Sequence, residues 1–234
     1  MSQPPSAASP DAVTRQRLIE AAADVFVEHG FRAATVRDIC ARAGANVAAV
    51  NYHFGDKETL YRAVLDQLFA GALERHPMNL GPAPELTAEQ LLHAFVRGLL
   101  GRLLSADVAG RIGKIMAREM MEPSAALDHI IANVTRPMYG ALSQIVRELL
   151  GPAATDELVA RCAFSVVGQC LFYRHSDAAA RRLAPGLEGT PESVEAITEH
   201  IARFSLAGIR AIAESGAAAN AHSRAARKPR KGTS

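Results

Sequence analysis

The 234-residue chain has no tryptophan, three cysteines and only 5% aromatic residues. With so few rings, aliphatic side chains and alanine must fill the interior. Three cysteines without paired spacing exclude a disulfide framework and fit a reducing compartment. No run of 18 apolar residues occurs; even Ala94 to Leu104 is interrupted by Arg97 and Arg102, so no membrane-spanning helix is expected. The opening MSQPPSAASPD lacks a basic region and an apolar stretch, so no secretion signal is expected and the chain is placed in the cytoplasm. Catalytic signatures are missing too: there is no GxSxG, GxGxxG, phosphate-binding loop or HExxH. Eight histidines stand singly, and Cys170 with His175 is the nearest approach to a metal-ligand spacing. No enzyme activity, cofactor or metal is expected.

What is present is an ordinary globular composition, 49% hydrophobic and 21% charged, long enough to bury a real core. The formal net charge of +2 conceals its distribution. Residues 11–76 carry 8 Lys/Arg against 9 Asp/Glu, residues 77–213 carry 13 against 14, and residues 214–234 carry 5 against 1. The excess sits in SRAARKPRKGTS, which either adds a sequence-independent attraction to polyanions or serves as a solubilising terminus. A folded part that binds nucleic acid must therefore do so through a local patch.

Helix signals dominate and strand signals are almost absent. Ile19, Ala22, Phe26 and Gly30 recur at helical spacing, giving a first helix from Thr14 to His29 that stops at Gly30. Thr35, Asn46 and Asp56 are N-cap residues opening two short helices and a longer one that carries Leu60, Val64 and Leu68. Thr87 with Gln90 caps a helix bearing Leu91, Leu92, Phe95, Leu99 and Leu103. Further helices are expected over Asp107–Met121, Ser124–Leu150 (bent by Pro137), Thr155–His175 and Pro191–Ala213. The fold class is all-α, with roughly nine helices: an N-terminal helix-turn-helix head of three helices and a larger helical body.

The function concentrates in GFRAATVRDICARAGANVAAVNYHFGDKETLY, residues 30–61. Two capped short helices flank a turn containing Gly44. Ile39, Val50 and Phe54 supply an inner face, and Asn46, Asn51, Tyr52 and His53 are left polar and outward. That is the helix-turn-helix plan, whose second helix enters the DNA major groove. Residues 13–66 resemble the DNA-binding domain of the TetR family of bacterial transcriptional regulators, through TVRDI followed by AG at 35–44 and YHFGDKETLY at 52–61. NVAAVNYHFGDK, REMMEPS at 118–124 and GQCLFYRHS at 168–176 are similar to a CecR-like (YbiH-type) subgroup.

The resemblance implies a homodimer that holds double-stranded operator DNA and answers to a small-molecule effector, most simply a repressor released by it. The expected domains are an arm at 1–12 and a DNA-binding domain at 13–58, then a ligand-binding and dimerisation domain at 59–214 and a basic disordered tail at 215–234. Dimerisation is expected through the helices at 155–175 and 191–213. The DNA-binding candidates are Thr35, Arg37, Asn46, Val47, Asn51, Tyr52, His53 and Lys57. Thr35 either caps its helix alone or also meets a phosphate; His53 either contacts DNA or packs beneath its helix. The ligand-binding candidates are Phe95, Leu99, Met116, Glu119, Met120, Gln169 and Arg174. The apolar ones are equally readable as plain core, and the polar ones as surface or interface. Cys40, Cys162 and Cys170 are expected to be packed thiols. Competing readings are a helical protein–protein adaptor, a transcriptional activator using the same helix-turn-helix, and an enzyme housed in an all-α body.

Overall fold

The computed structural model describes residues 9–77, 85–104, 108–175, 182–184 and 191–226, with side chains for all of these except 108, 109, 175, 191, 192 and 217–226. The expected arm up to residue 8, the connector around 78–84 and the tail from 227 lie outside the described residues. Ten α-helices and one π-helical turn, with residues 182–183 also helical, account for the regular structure among them. They are α1 (Pro10–Ala33), α2 (Val36–Ala43), α3 (Val47–Phe54), α4 (Lys57–Arg75), α5 (Ala88–Leu104) and α6 (Val108–Met121). After these come α7 (Ala126–Ile130), the π turn (Ile131–Thr135), α8 (Arg136–Leu150), α9 (Asp156–His175) and α10 (Pro191–Ala226). No helix among the described residues is long and apolar enough to cross a membrane.

The caps sit where short polar side chains meet orphan amides. Thr35 accepts from the Asp38 amide at 3.1 Å, Asn46 from Ala49 at 2.9 Å, and Asp56 from Thr59 at 2.7 Å. Thr87 and Gln90 form a reciprocal capping box, and Thr155 caps α9 through Leu158 at 3.2 Å. Helix α1 begins at Pro10, ahead of Thr14, because Ser9 caps it and proline suits a first helical position. At Gly30, φ of 78° breaks the helix, and the Arg118 guanidinium would lie 3.0 Å from any Cβ there. Pro137 cannot donate to the carbonyl four residues back, and the helix absorbs this as the π turn just before it. Helix α10 runs to Ala226, past the expected end at Ala213. Its alanine-rich continuation favours helix, and Gly216 costs only about 1 kcal/mol.

The chain forms two compact units. The first contains Met1–Arg75 and Ser105–Thr135, so α6, α7 and the π turn belong with α1–α4. Its core joins Leu18, Phe26, Ile39, Val50, Leu60 and Leu65 to Ile115 of α6 and Ile130 of α7. Burying each such side chain is worth roughly 1.5–3 kcal/mol. The second unit contains His76–Leu104 and Arg136–Ser234. There α5, α8, α9 and α10 enclose Leu92, Phe95, Leu100, Leu142, Val146, Val166 and Ile201. Helices α5 and α10 run antiparallel, stapled at the rim by Arg97–Glu195, His93–Glu199 and Arg210–Glu89.

Candidate nucleic-acid interface

Helices α2 and α3 form the helix-turn-helix, joined through Gly44 in the left-handed conformation (φ 60°, ψ 41°). A glycine suits this cap twice, since any Cβ would also lie 2.8 Å from the Arg17 guanidinium. Two bonds hold the turn: the Arg17 guanidinium of α1 donates to the Ala43 carbonyl, and across the turn itself the Cys40 thiol donates to the Asn46 carbonyl at 3.3 Å. Arg42 adds a bidentate pair with Glu28 of α1, both contacts at 2.8 Å, and this holds the Glu28 carboxyl below its ordinary pKa.

With Val50 and Phe54 turned inward, α3 presents an outer face. Tyr52 is 76% exposed, and Asn51, Asn46 and half of Val47 also face solvent. Thr35 and Arg37 are exposed at the start of α2. The Asn46 side-chain oxygen is committed to its cap, leaving its amide nitrogen as the outward donor. Lys57 is half-buried: its ammonium donates to Phe31 O at 2.9 Å and Ala34 O at 3.0 Å, and lies 4.5 Å from the Phe31 ring centroid. It locks the chain after the Gly30 break and keeps one N–H in hand. His53 does not join this face. Its side chain is only 6% exposed, meets the Tyr52 ring edge-on and sits 3.7 Å from Asp11 of α1. That corrects its place among the outward candidates, because the last turn of α3 packs back onto α1.

Beneath this face Tyr61 stacks on Phe31 (4.9 Å), meets Phe26 at a tilt of 59° (4.6 Å) and donates to Glu119 at 3.0 Å. Burial, then the Glu119 charge, pushes the Tyr61 phenol far above its ordinary pKa. Glu119 is 3% exposed and also accepts from the Ser124 amide and hydroxyl at 2.9–3.0 Å. Its neighbour Arg118 donates to Glu28 O at 2.8 Å. Glu119 is therefore a tie among α4, α6 and the start of α7, not a free ligand contact. This corrects the expectation from sequence, which had no local signal for a partner 58 residues away.

The other ligand candidates do not converge. Met116 packs against the first unit's core and Met120 is exposed there. Phe95 and Leu99 are buried core of the second unit. Gln169 donates to Ser205 of α10 at 3.1 Å, and Arg174 has a buried Nε without a hydrogen-bond partner among the described residues. The second unit also leaves two apolar faces uncovered: Phe164 and Phe172 on α9, Phe204 and Ile212 on α10. In each helix a glycine with open space around it, Gly168 or Gly208, stands midway between the pair.

Comparison with known proteins agrees with this geometry. Residues 18–64 match the family described as bacterial regulatory proteins, tetR family. Residues 88–209 match the C-terminal domain of the HTH-type transcriptional dual regulator CecR. CecR of Shigella flexneri is 30% identical over 169 residues, 68% of this chain and 75% of that protein. SrpR, an HTH-type transcriptional regulator of Pseudomonas putida, is 29% identical over 57% of this chain and 60% of its own length. Among solved structures, a putative transcriptional regulator from Pseudomonas aeruginosa PAO1 matches with a TM-score of 0.61 at 22% identity, covering 84% of this chain and 91% of that one. The chain belongs to the TetR family of DNA-binding transcriptional regulators, not to a family of enzymes, and carries a CecR-type C-terminal domain.

Proposed function

We propose that the chain acts as a homodimeric repressor whose hold on operator DNA is released by a small molecule bound in the second unit. The observation that carries this reading is the outward face of α3, Val47, Asn51 and Tyr52, on a helix braced from behind by α1, α2 and α4. Asn46, Val47 and Asn51 meet base edges or nearby backbone, while Thr35, Tyr52 and the spare N–H of Lys57 hold phosphates and Arg37 reaches either. Two such helices enter successive major grooves roughly 34–36 Å apart. The apolar faces of α9 and α10 support pairing with a second copy, since four large apolar side chains exposed on adjacent helices invite burial.

Within the second unit, Phe95, Leu99, Gln169 and Arg174 are the effector-facing proposals; among the described residues the Arg174 Nε and the Ser143 Oγ are buried polar atoms without a partner, which a ligand could supply. An effector that prefers a dimer with the wrong head spacing would weaken operator binding by a coupling of about 1–3 kcal/mol. The name of the Shigella relative, a dual regulator, supports activation as a second reading, with the sign set by operator position. The test is retardation and protection mapping of the DNA upstream of the chain's own gene. Tyr52→Ala should bind that DNA about tenfold more weakly at an unchanged salt slope, because the phenol carries no charge. Unchanged affinity would remove Tyr52 and the outer face of α3 from the interface.

A further inference from the structure

An open groove of about 270 Å³ lies beside the α3 end of the helix-turn-helix, between α1 and the turn. Thr14 and Arg17 of α1 form one wall; Ala43, Gly44, Ala45 and Asn46 form the other. No carboxylate lines it. The acids of α1 are engaged elsewhere: Asp11 sits 3.7 Å from the His53 ring, Glu20 accepts from Gln16, Asp24 pairs with Arg111 and Glu28 with Arg42. Arg17 is exposed, and among the described residues no carboxylate pairs with it. One of its five N–H groups holds the Ala43 carbonyl, which ties the guanidinium to the turn and leaves the others for further acceptors. The opposite wall has side chains no larger than a methyl except at Asn46, so a tetrahedral anion can approach the backbone.

We propose that this groove seats an operator backbone phosphate, with Arg17 as its cation. The proposal rests on the DNA-binding reading above and adds to it a contact on α1. Thr35 and Lys57 lie by the start of α2, whereas Arg17 lies by the start of α3, so the recognition helix is flanked by cations on two sides. That placement accounts for DNA binding by a head with no net positive charge. A planar fork held at one corner suits a phosphate oxygen pair better than a mobile ammonium does.

The test uses the full-length protein and the operator fragment found by protection mapping. Arg17→Gln should weaken binding about tenfold, reduce the salt slope by about one and leave the ratio of operator to unrelated DNA unchanged. Arg17→Lys should keep the slope. Thr14→Glu places a carboxylate one helical turn before Arg17, neutralising it without removing its bond to Ala43; it should lower the slope as Arg17→Gln does. If Arg17→Gln loses affinity at an unchanged slope, or Thr14→Glu leaves the slope untouched, Arg17 only braces the turn and the proposal fails. Failure of the unaltered protein to retard its upstream DNA would instead overturn the DNA-binding reading itself.

Discussion

The two compact units are held together differently. In the first, directional polar bonds link distant segments: Arg17 to Ala43, Cys40 to Asn46, Lys57 to Phe31 and Ala34, Arg118 to Glu28, and Glu119 to Tyr61 and Ser124. In the second, the interior is largely aliphatic and the ion pairs sit at the solvent rim, with Arg102 to His76 and Gln169 to Ser205 as polar bonds between distant segments. Apolar contact is tolerant of direction, whereas a hydrogen bond is not. A surface that must match the spacing of phosphates and base edges needs the second kind of constraint. A body that is proposed to pair with a copy and admit an effector would be better served by packing that can shift.

Breaking the apolar face of the second unit should have the largest effect. Phe164→Glu combined with Phe204→Glu removes two exposed aromatic anchors per protomer, each worth about 2 kcal/mol or more at an interface centre. The double variant should sediment as a monomer and bind the operator at least about 100-fold more weakly; a persisting dimer would mean those faces are not the seam. Next, Glu119→Ala strands the Tyr61 hydroxyl and the Ser124 amide and should cost about 2–4 kcal/mol in urea unfolding. Arg97→Ala at the rim of the other unit should cost less than about 1 kcal/mol. Equal losses would erase the contrast between the units.

The last effect is alkaline. The Tyr61 phenol is raised above its ordinary value of 10.0, so in the unfolded chain it ionises first. Its contribution is intact below pH 10 and falls above it, by up to about 1.4 kcal/mol per pH unit from this group. Tyr61→Phe should flatten that limb of the stability–pH curve, and an identical limb would show that other groups set it.

What was legible in the sequence was local. Thr35, Asn46, Asp56 and Thr155 each bond an amide three residues on, so type and spacing alone announce them. Pro137 announced an irregular helix, although not that it would be resolved as a π turn. The outer face of α3 followed from helical periodicity, except at His53, where the path of α1 decided the outcome. What could not be read was the home of residues 105–135. Met116, Glu119 and Met120 looked like body residues by position, and only Tyr61, 58 residues earlier, explains why Glu119 is buried. Arg17 was missed for the same reason: its partner lies 26 residues away.

The three thiols have a practical consequence. Cys40, Cys162 and Cys170 are all buried and unpaired, and burial raises each pKa, that of Cys170 to about 12. Their thiolate fraction near neutral pH is therefore small, and alkylating reagents should find them slow targets. The native protein is thus a quiet background for site-directed labelling. A single Ala48→Cys on the exposed side of α3, labelled in both copies of the proposed dimer, would report the separation of the two recognition helices directly, and any change that a candidate effector makes to it.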